Sequence, residues 1–163
     1  MKQFLALVLV LAGLSSPVFA QKKPLPKAKP SPAVAASLVR GKALYAQHCL
    51  SCHQADGTGV EGLHPPLIIT NEVLGDRPKM VLAVLMGMQH RDIKGKPYSG
   101  AMPPMDFLTD QQIADVLTYV RQNFGNKATA VNAAEVTSLR KVVYLKGTRY
   151  NHPAGPGDGW QAP

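Results

Sequence analysis

Apolar side chains recur at helical spacing over TDQQIADVLTYVRQNFG, residues 109–125. They lie three or four positions apart and would form one face of an amphipathic helix: Ile113, Val116, Leu117, Val120 and Phe124. Thr109 and Gln112 match a capping box at the start, and Gly125 supplies a stop signal at the end. This stretch predicts the clearest helix of the chain.

A second helix is predicted just before the cysteines. It runs from about Ser37, which can cap it, to Gln47. Gly41 lies in its interior, where glycine costs about 1 kcal/mol relative to alanine. Close approach of another helix would explain why a glycine is tolerated there.

Two more helices and a hairpin complete the predicted elements. One helix begins after Asp76 as N-cap and continues to Met88. Another follows residue 132, where Asn132 and Glu135 form a second capping signal. The turn-rich segment RDIKGKPYSGAMPPM allows a short hairpin around residues 94–96. Because strand signals are otherwise almost absent, the predicted fold is all-α, small and loop-rich.

The first twenty residues have the pattern of a secretory signal peptide. Residues 1–20 combine Lys2, an apolar run over residues 4–14 and a Val-Phe-Ala sequence that resembles a cleavage site. An uncleaved anchor is the alternative, but a membrane-spanning helix needs about 20 apolar residues. We therefore expect cleavage after Ala20 and an exported, periplasmic protein that does not span the membrane.

The remaining chain divides into three parts. Residues 21–36, rich in proline and lysine, predict an extended, solvated linker; residues 37–127 form the folded domain; and residues 128–163 hold the last helix and a Gly/Pro-rich tail. The net charge of +8 lies mainly in the two ends, because residues 37–127 contain nine basic and eight acidic residues. Neither end has the aromatic interleaving of a nucleic-acid-binding segment, so no nucleic-acid partner is expected. Trp160 has no predicted role beyond a docking anchor.

The two cysteines of the chain, Cys49 and Cys52, lie in HCLSCH and are followed directly by His53. A closed zinc site needs four ligands, and no second pair exists. A redox dithiol would require a βαβ setting, and a disulfide across two residues would close a very small loop. Cys-x-x-Cys-His is the attachment signature of c-type haem, in which each thiol adds across one vinyl group. The spacing favours one covalent haem c, with His53 as the proximal iron ligand.

Across residues 37–127 the chain resembles class I c-type cytochromes. The matching segments occur in family order: RGKALYAQHCLSCH, the PPL of residues 65–67, KPYSGAMPPM and LTDQQIADVLTYVRQNFGN. The resemblance implies an all-helical wrap around one haem, in which the first helix crosses the helix of residues 109–125 with Gly41 against Tyr119. The last two segments are especially similar to cytochromes c that work beside periplasmic quinoprotein or flavoprotein dehydrogenases, or as carriers to terminal oxidases.

The resemblance also implies a haem pocket. A proline carbonyl would accept a hydrogen bond from His53 and fix its orientation. Pro65 is the best match for that proline, with the adjacent Pro66 as the alternative. Leu67 would pack on the porphyrin. Tyr98 could contact a haem propionate or serve only in packing.

The sixth ligand of the iron decides the function. Met102 precedes a proline, which favours an extended backbone, and it aligns with the Met-Pro dipeptide of the family's ligand loop. It is therefore the expected distal ligand. Met105 is the alternative, and His90 or an empty position are further possibilities. The other methionines beyond the signal are expected to fill the core: Met80, Met86 and Met88.

A haem iron with histidine and methionine ligands passes single electrons. The soft thioether raises the reduction potential relative to two histidines, and no position stays open for oxygen or peroxide. The sequence thus predicts an electron carrier, not an enzyme, between a dehydrogenase or quinol-oxidising complex and a terminal oxidase. The alternatives are a dedicated electron-accepting subunit of a dehydrogenase complex and a peroxidase-like haem enzyme. Four basic residues could steer an acidic partner to the haem edge: Lys42, Arg91, Lys94 and Lys96.

Overall fold

The computed structural model describes residues 30–89, 91–93 and 95–145. The predicted signal peptide, the linker up to residue 29, His90, Lys94 and the tail from residue 146, which contains Trp160, lie outside these residues. Over the described part the chain forms six helices and one two-stranded hairpin, which confirms the predicted all-α, loop-rich fold.

The elements follow one another with short connections. They are α1 (Pro32–His48), α2 (Leu50–His53), α3 (Asn71–Leu74), α4 (Arg77–Met86), β1 (Arg91–Ile93), β2 (Lys96–Tyr98), α5 (Asp110–Gln122) and α6 (Ala133–Leu145). The two strands pair antiparallel with Asp92 opposite Pro97, so the predicted hairpin is confirmed. Helix α6 packs on both α4 and α5. Among the described helices, none has the length and apolar character to cross a membrane.

Helix α1 begins earlier than the sequence predicts. Ser31 caps it, and Pro32 occupies its first turn. Serine at the N-cap followed by proline is a favoured helix start. The segment therefore begins a helix, although its proline-rich composition predicts an extended linker. The prediction of an extended linker is therefore wrong for residues 32–36. Ser37, the predicted cap, lies inside α1, where its buried hydroxyl donates to Asp115 Oδ1 over 2.7 Å.

Helices α1 and α5 approach each other most closely at Gly41. A Cβ atom built on Gly41 would lie 2.1 Å from the carbonyl oxygen of Asp115 and 2.8 Å from the Cβ of Tyr119. Any side chain here would push the two helices apart, so only glycine fits. The predicted contact between Gly41 and Tyr119 is confirmed.

The other helix ends test the capping signals. Asp76 is the N-cap of α4, as predicted, but α4 ends at Met86 because Gly87 adopts a φ of +72°. The prediction that this helix continues to Met88 is wrong. The Thr109–Gln112 capping box of α5 is confirmed.

The two last helix signals also have clear outcomes. Helix α5 ends at Gln122, three residues before the predicted stop at Gly125. The side chain of Asn132 accepts a hydrogen bond from the amide of Glu135 over 2.9 Å, so the predicted cap of α6 is confirmed.

The core lies between α1, α4, α5 and α6. Its buried apolar residues include Leu44, Tyr45, Val81, Val84, Leu85, Ile113, Val116, Leu117, Val120 and Val136. Helix α6 contributes Val136, whose side chain is fully buried. On one side this core opens toward Cys49, Leu67 and Met102, which are only partly buried.

Candidate functional site

The Cys-x-x-Cys-His segment forms a single turn at the junction of α1 and α2. Cys49 ends α1, where its amide donates to the carbonyl of Tyr45 over 2.9 Å. The amide of His53 in turn donates to the carbonyl of Cys49 over 2.9 Å. Cys49 and Cys52 are half-buried and form no disulfide. One helical turn therefore presents two thiols and an imidazole as neighbours.

The Cys49 thiol has the chemistry of an unactivated cysteine. Burial, and next the neighbouring Cys52, raise its pKa to about 11. At neutral pH this group is a protonated thiol, whereas catalytic dithiols have lowered pKa values. The raised pKa of Cys49 thus gives no support to a redox-active dithiol.

The imidazole of His53 is oriented by residues 54–70, the segment between α2 and α3 that contains Pro65 and Pro66 and that we call the proline loop. Its Nδ1 lies 2.9 Å from the carbonyl oxygen of Pro65, so Pro65 and not Pro66 is its partner. A carbonyl can only accept, so Nδ1 carries the proton and Nε2 presents a free lone pair. Burial lowers the pKa of His53, although the hydrogen bond to Pro65 acts in the opposite direction. Together these favour a neutral imidazole that can bind a metal ion through Nε2.

Glycines fold the proline loop back onto the helical turn. Gly59 has a φ of +69°, and its amide donates to the carbonyl of His53 over 3.0 Å. A Cβ on Gly59 would lie 2.6 Å from the same Pro65 carbonyl that faces the imidazole. The amide of Leu67 is held by the carbonyl of Gly57 over 2.8 Å. Glycine at these positions allows the loop to reach His53.

Two neighbouring cavities form a slot beside His53. The larger, of about 440 Å³, extends between α3, α4 and α5, and Cys49 and Leu67 lie in its wall. The smaller, of about 160 Å³, lies on the side of Cys52 and is also lined by the buried Tyr98. Four residues line both cavities and mark where they meet: His53, Pro65, Met88 and Met102. We call the two cavities together the slot.

The methionines divide clearly around the slot. Met102 lines both cavities, whereas Met105 lines only the smaller one. Met88 also lines both, and its backbone pairs with that of Met102 through hydrogen bonds of 2.8 and 2.9 Å. Its predicted place in a core helix is therefore wrong, because α4 ends before it. Met80 lines the larger cavity from α4, while Met86 packs partly buried against the core.

The residues present fit a flat, largely apolar group attached at one edge. Thiols lie at the junction of α1 and α2, and aliphatic side chains of α4 and α5 line the interior. His53, Met88 and Met102, which carry an imidazole and two thioethers, line both cavities. These are the donors that c-type haem uses for attachment and for axial ligation. Within the described ranges, no group of three or more His, Cys, Asp or Glu side chains could hold a bare metal ion.

Two of the four basic residues predicted to meet a partner, Lys42 and Lys96, are exposed in the described part of the chain. Lys42 is exposed, and Lys96 is exposed but paired with Glu61 over 3.0 Å. Arg91 lies in β1, and Lys94 lies outside the described residues. The structure adds two residues that sequence reasoning missed, Met88 and Asn126. Asn126 holds the proline loop through Leu67 and Ile69, and no local pattern in the sequence signals that role.

Comparison with known proteins agrees with this geometry. The sequence model of the family "Cytochrome c" matches residues 38–124. The cytochrome c-552 of Thermus thermophilus is 37% identical over 112 residues, which cover 61% of this chain and 83% of that protein.

Other relatives are parts of dehydrogenases. The cytochrome c subunit of the alcohol dehydrogenase (quinone) of Gluconobacter oxydans is 35% identical over 103 residues, covering 61% of this chain and 22% of the subunit. The gluconate 2-dehydrogenase cytochrome c subunit of Pantoea cypripedii is 35% identical over 105 residues, covering 62% of this chain and 24% of the subunit. The chain thus spans about a quarter or less of the length of these two subunits.

Proposed function

The chain belongs to the cytochrome c family of electron carriers, which bind haem c covalently, and we propose that it is an exported, periplasmic carrier in which Cys49, Cys52, His53 and Met102 hold the haem. The observation that carries this assignment is that His53 and Met102 line both cavities of the slot, whereas Met105 lines only one. Met88 also lines both cavities, and the Met-Pro dipeptide at residues 102–103 favours Met102 over Met88 as the ligand. When bound, haem c supplies one iron that gains and loses a single electron.

Each side chain has a distinct part in holding the cofactor. Cys49 and Cys52 would hold the haem through two thioether bonds, because addition of each S–H across one vinyl group needs no oxidant or reductant. His53 presents Nε2 because Pro65 engages the Nδ1 proton. Met102 presents its thioether sulfur, a soft donor that stabilises the ferrous state and so raises the reduction potential.

This ligand set favours electron transfer over substrate chemistry. If His53 and Met102 both bind, they would leave the iron no position for oxygen or peroxide. The same ligand set would serve both oxidation states, so little would have to rearrange on electron transfer. These points support a carrier rather than a peroxidase-like enzyme.

The partners are proposed from the relatives. Similarity to cytochrome subunits of alcohol and gluconate dehydrogenases supports a redox protein, such as a dehydrogenase or a quinol-oxidising complex, as electron donor. A terminal oxidase is the acceptor in this proposal. The same similarity favours a second candidate function, a dedicated electron-accepting subunit of one dehydrogenase complex. Co-purification with a large partner through stringent washing would support the subunit, whereas reduction of a lone monomer by several donors would support the carrier.

One measurement tests the central proposal. The protein is purified from cells that attach haem to exported proteins, and its intact mass and its oxidised and reduced absorption spectra are recorded. We expect the mass of a chain beginning after Ala20 plus one haem, low-spin spectra, and an iron–sulfur charge-transfer band in the oxidised state. A colourless protein whose mass accounts only for amino acids would refute the haem assignment. A haem protein without the charge-transfer band would refute methionine ligation.

A further inference from the structure

Helix α6 lies beyond the residues that match the family model, which end at 124. It nevertheless reaches the segment that carries Met102. This segment, residues 99–108, joins β2 to the N-cap of α5, and we call it the methionine loop. Arg140 of α6 makes hydrogen bonds to this segment.

Arg140 binds the junction of the methionine loop and α5 with all three of its nitrogens. Nη1 donates to the carbonyl of Asp106 over 2.7 Å, and Nη2 donates to the carbonyl of Leu108 over 2.6 Å. Nε donates to Oδ1 of Asp110, the first residue of α5, over 2.6 Å. The hydroxyl of Thr137, one turn earlier in α6, donates to the other carboxylate oxygen of Asp110. A planar guanidinium is suited to this arrangement, because its donors are fixed in one fork.

Most of the methionine loop is exposed, although Leu108 is buried and Met102 and Met105 pack partly buried against the core. Ala101, Pro103 and Pro104 are exposed, and Phe107 is 66% exposed. Backbone hydrogen bonds hold the loop at four residues: Ser99 bonds to Gly62, Gly100 to Leu63, Met102 to Met88 and Met105 to Val84. A segment with few buried contacts opens readily, so each remaining restraint has a large effect on its position.

We propose that Arg140 is a positioning residue that holds the methionine loop closed over the slot and keeps the Met102 sulfur at the iron. This inference rests on the proposed function, because it takes Met102 as the distal ligand. It gives α6 a role in controlling ligand exchange, beyond its contribution to the core through Val136.

Exchange of the sixth ligand measures this role directly. Added imidazole can bind the iron only while Met102 is released, so its apparent affinity is the intrinsic affinity multiplied by the fraction of open loop. Loss of Arg140 removes charge-assisted hydrogen bonds from the loop end and should increase that fraction. A change in imidazole affinity therefore reports opening of the methionine loop. A general loss of folding stability would not by itself change the fraction of open loop in the folded protein.

The experiment compares Arg140→Gln with Arg77→Gln in the oxidised, full-length haem protein. Arg77 is a matched control because it also fastens the α6 region, through Glu135 at 3.3 Å and the carbonyl of Ala130 at 3.3 Å, but its contacts lie away from the methionine loop. We expect Arg140→Gln to bind imidazole about tenfold more tightly than the unchanged protein, and Arg77→Gln to differ by less than about twofold. Equal imidazole affinities in the two variants would overturn the proposal.

A second readout separates this inference from the proposed function. Native-state hydrogen exchange at the amides of Met102 and Met105 follows loop opening whether or not sulfur binds iron. These amides should exchange about tenfold faster in Arg140→Gln than in the unchanged protein, and their exchange rates should be unchanged in Arg77→Gln. Unchanged exchange in both variants would overturn the positioning role, whereas absence of the charge-transfer band in the unchanged protein would refute only the ligation by Met102. If Arg140→Gln fails to accumulate, Arg140→Lys replaces it and should show intermediate opening, because one ammonium cannot reproduce the three-acceptor fork.

Discussion

The buried side chain of Asn126 holds the backbone of Ile69: its Oδ1 accepts a hydrogen bond from the Ile69 amide over 2.8 Å. Its Nδ2 donates to the carbonyls of Leu67 and Val120 over 2.8 and 2.7 Å. Ile69 has a φ of 45°, an unfavourable conformation for a β-branched residue. Asn126 therefore stabilises a strained segment and fastens the proline loop, which orients His53, to the end of α5.

Replacing Asn126 by leucine should destabilise the folded protein by roughly 2 to 4 kcal/mol, because three backbone groups would lose their partner at a buried site. Guanidinium unfolding, followed by haem absorbance and by far-ultraviolet circular dichroism, measures this change. Asn123→Ala is the control, since Asn123 is half-buried and donates to one carbonyl, that of Tyr119, over 2.9 Å. Equal losses in both variants would contradict the special role of Asn126.

The identity of the distal ligand leads to a spectroscopic prediction. Met102→Ala should keep its covalent haem but lose the iron–sulfur charge-transfer band, because Met102, the proposed distal ligand, lines both cavities beside His53. Met105→Ala and Met88→Leu should keep the band. Met88 is the sharper control, since it lines both cavities and pairs with the Met102 backbone. If the band disappears in Met105→Ala and persists in Met102→Ala, the assignment is reversed.

The folded state should depend on the haem. A slot of about 440 Å³ and about 160 Å³ lies against the core, and an apolar group that fills it stabilises only the folded chain. We expect Cys49→Ser/Cys52→Ser and His53→Ala to accumulate poorly and to lose cooperative thermal unfolding in circular dichroism. Recovery of a haemless double variant that unfolds cooperatively near the temperature of the haem protein would refute this prediction.

The sequence predicts those features that depend on local chemistry. The capping box at Thr109 and Gln112 fixes the start of α5 through contacts within one turn. The glycine at position 41 indicates a close helix crossing because its cost inside a helix needs a reason. The Cys-x-x-Cys-His spacing indicates haem because two thiols and one imidazole have few other uses together.

Features that depend on tertiary context are predicted less well. The proline-rich composition before residue 37 indicates a linker, yet Ser31 and Pro32 start a helix that gains stability by packing on α5. Met88 has the pattern of a core methionine, but the left-handed turn at Gly87 ends α4 and brings Met88 beside Met102. The contact of Arg140 with the loop spans more than 30 residues of sequence, so no local pattern contains it.

The buried carboxylate of Asp115 at the crossing of α1 and α5 leads to a prediction about acid stability. Burial acts to raise its pKa, but hydrogen bonds from Arg40, Ser37 and Gln111 outweigh burial and hold the pKa below its usual value of 3.8. A carboxyl group with a lowered pKa contributes stability that is present above its unfolded pKa and is lost as the pH falls through its folded pKa.

Asp115→Asn should therefore reduce the dependence of the unfolding free energy on pH below about pH 4, where the unchanged carboxylate takes up its proton. At pH 7 the same variant should be less stable by about 2 kcal/mol, because the amide cannot accept hydrogen bonds from all three donors. Denaturant unfolding between pH 7 and pH 2.5, followed by circular dichroism, measures both effects. Asp106→Asn is the control, because Asp106 is exposed, and its slope should match that of the unchanged protein. A slope in Asp115→Asn as steep as in the control would mean that the acid sensitivity arises elsewhere in the chain.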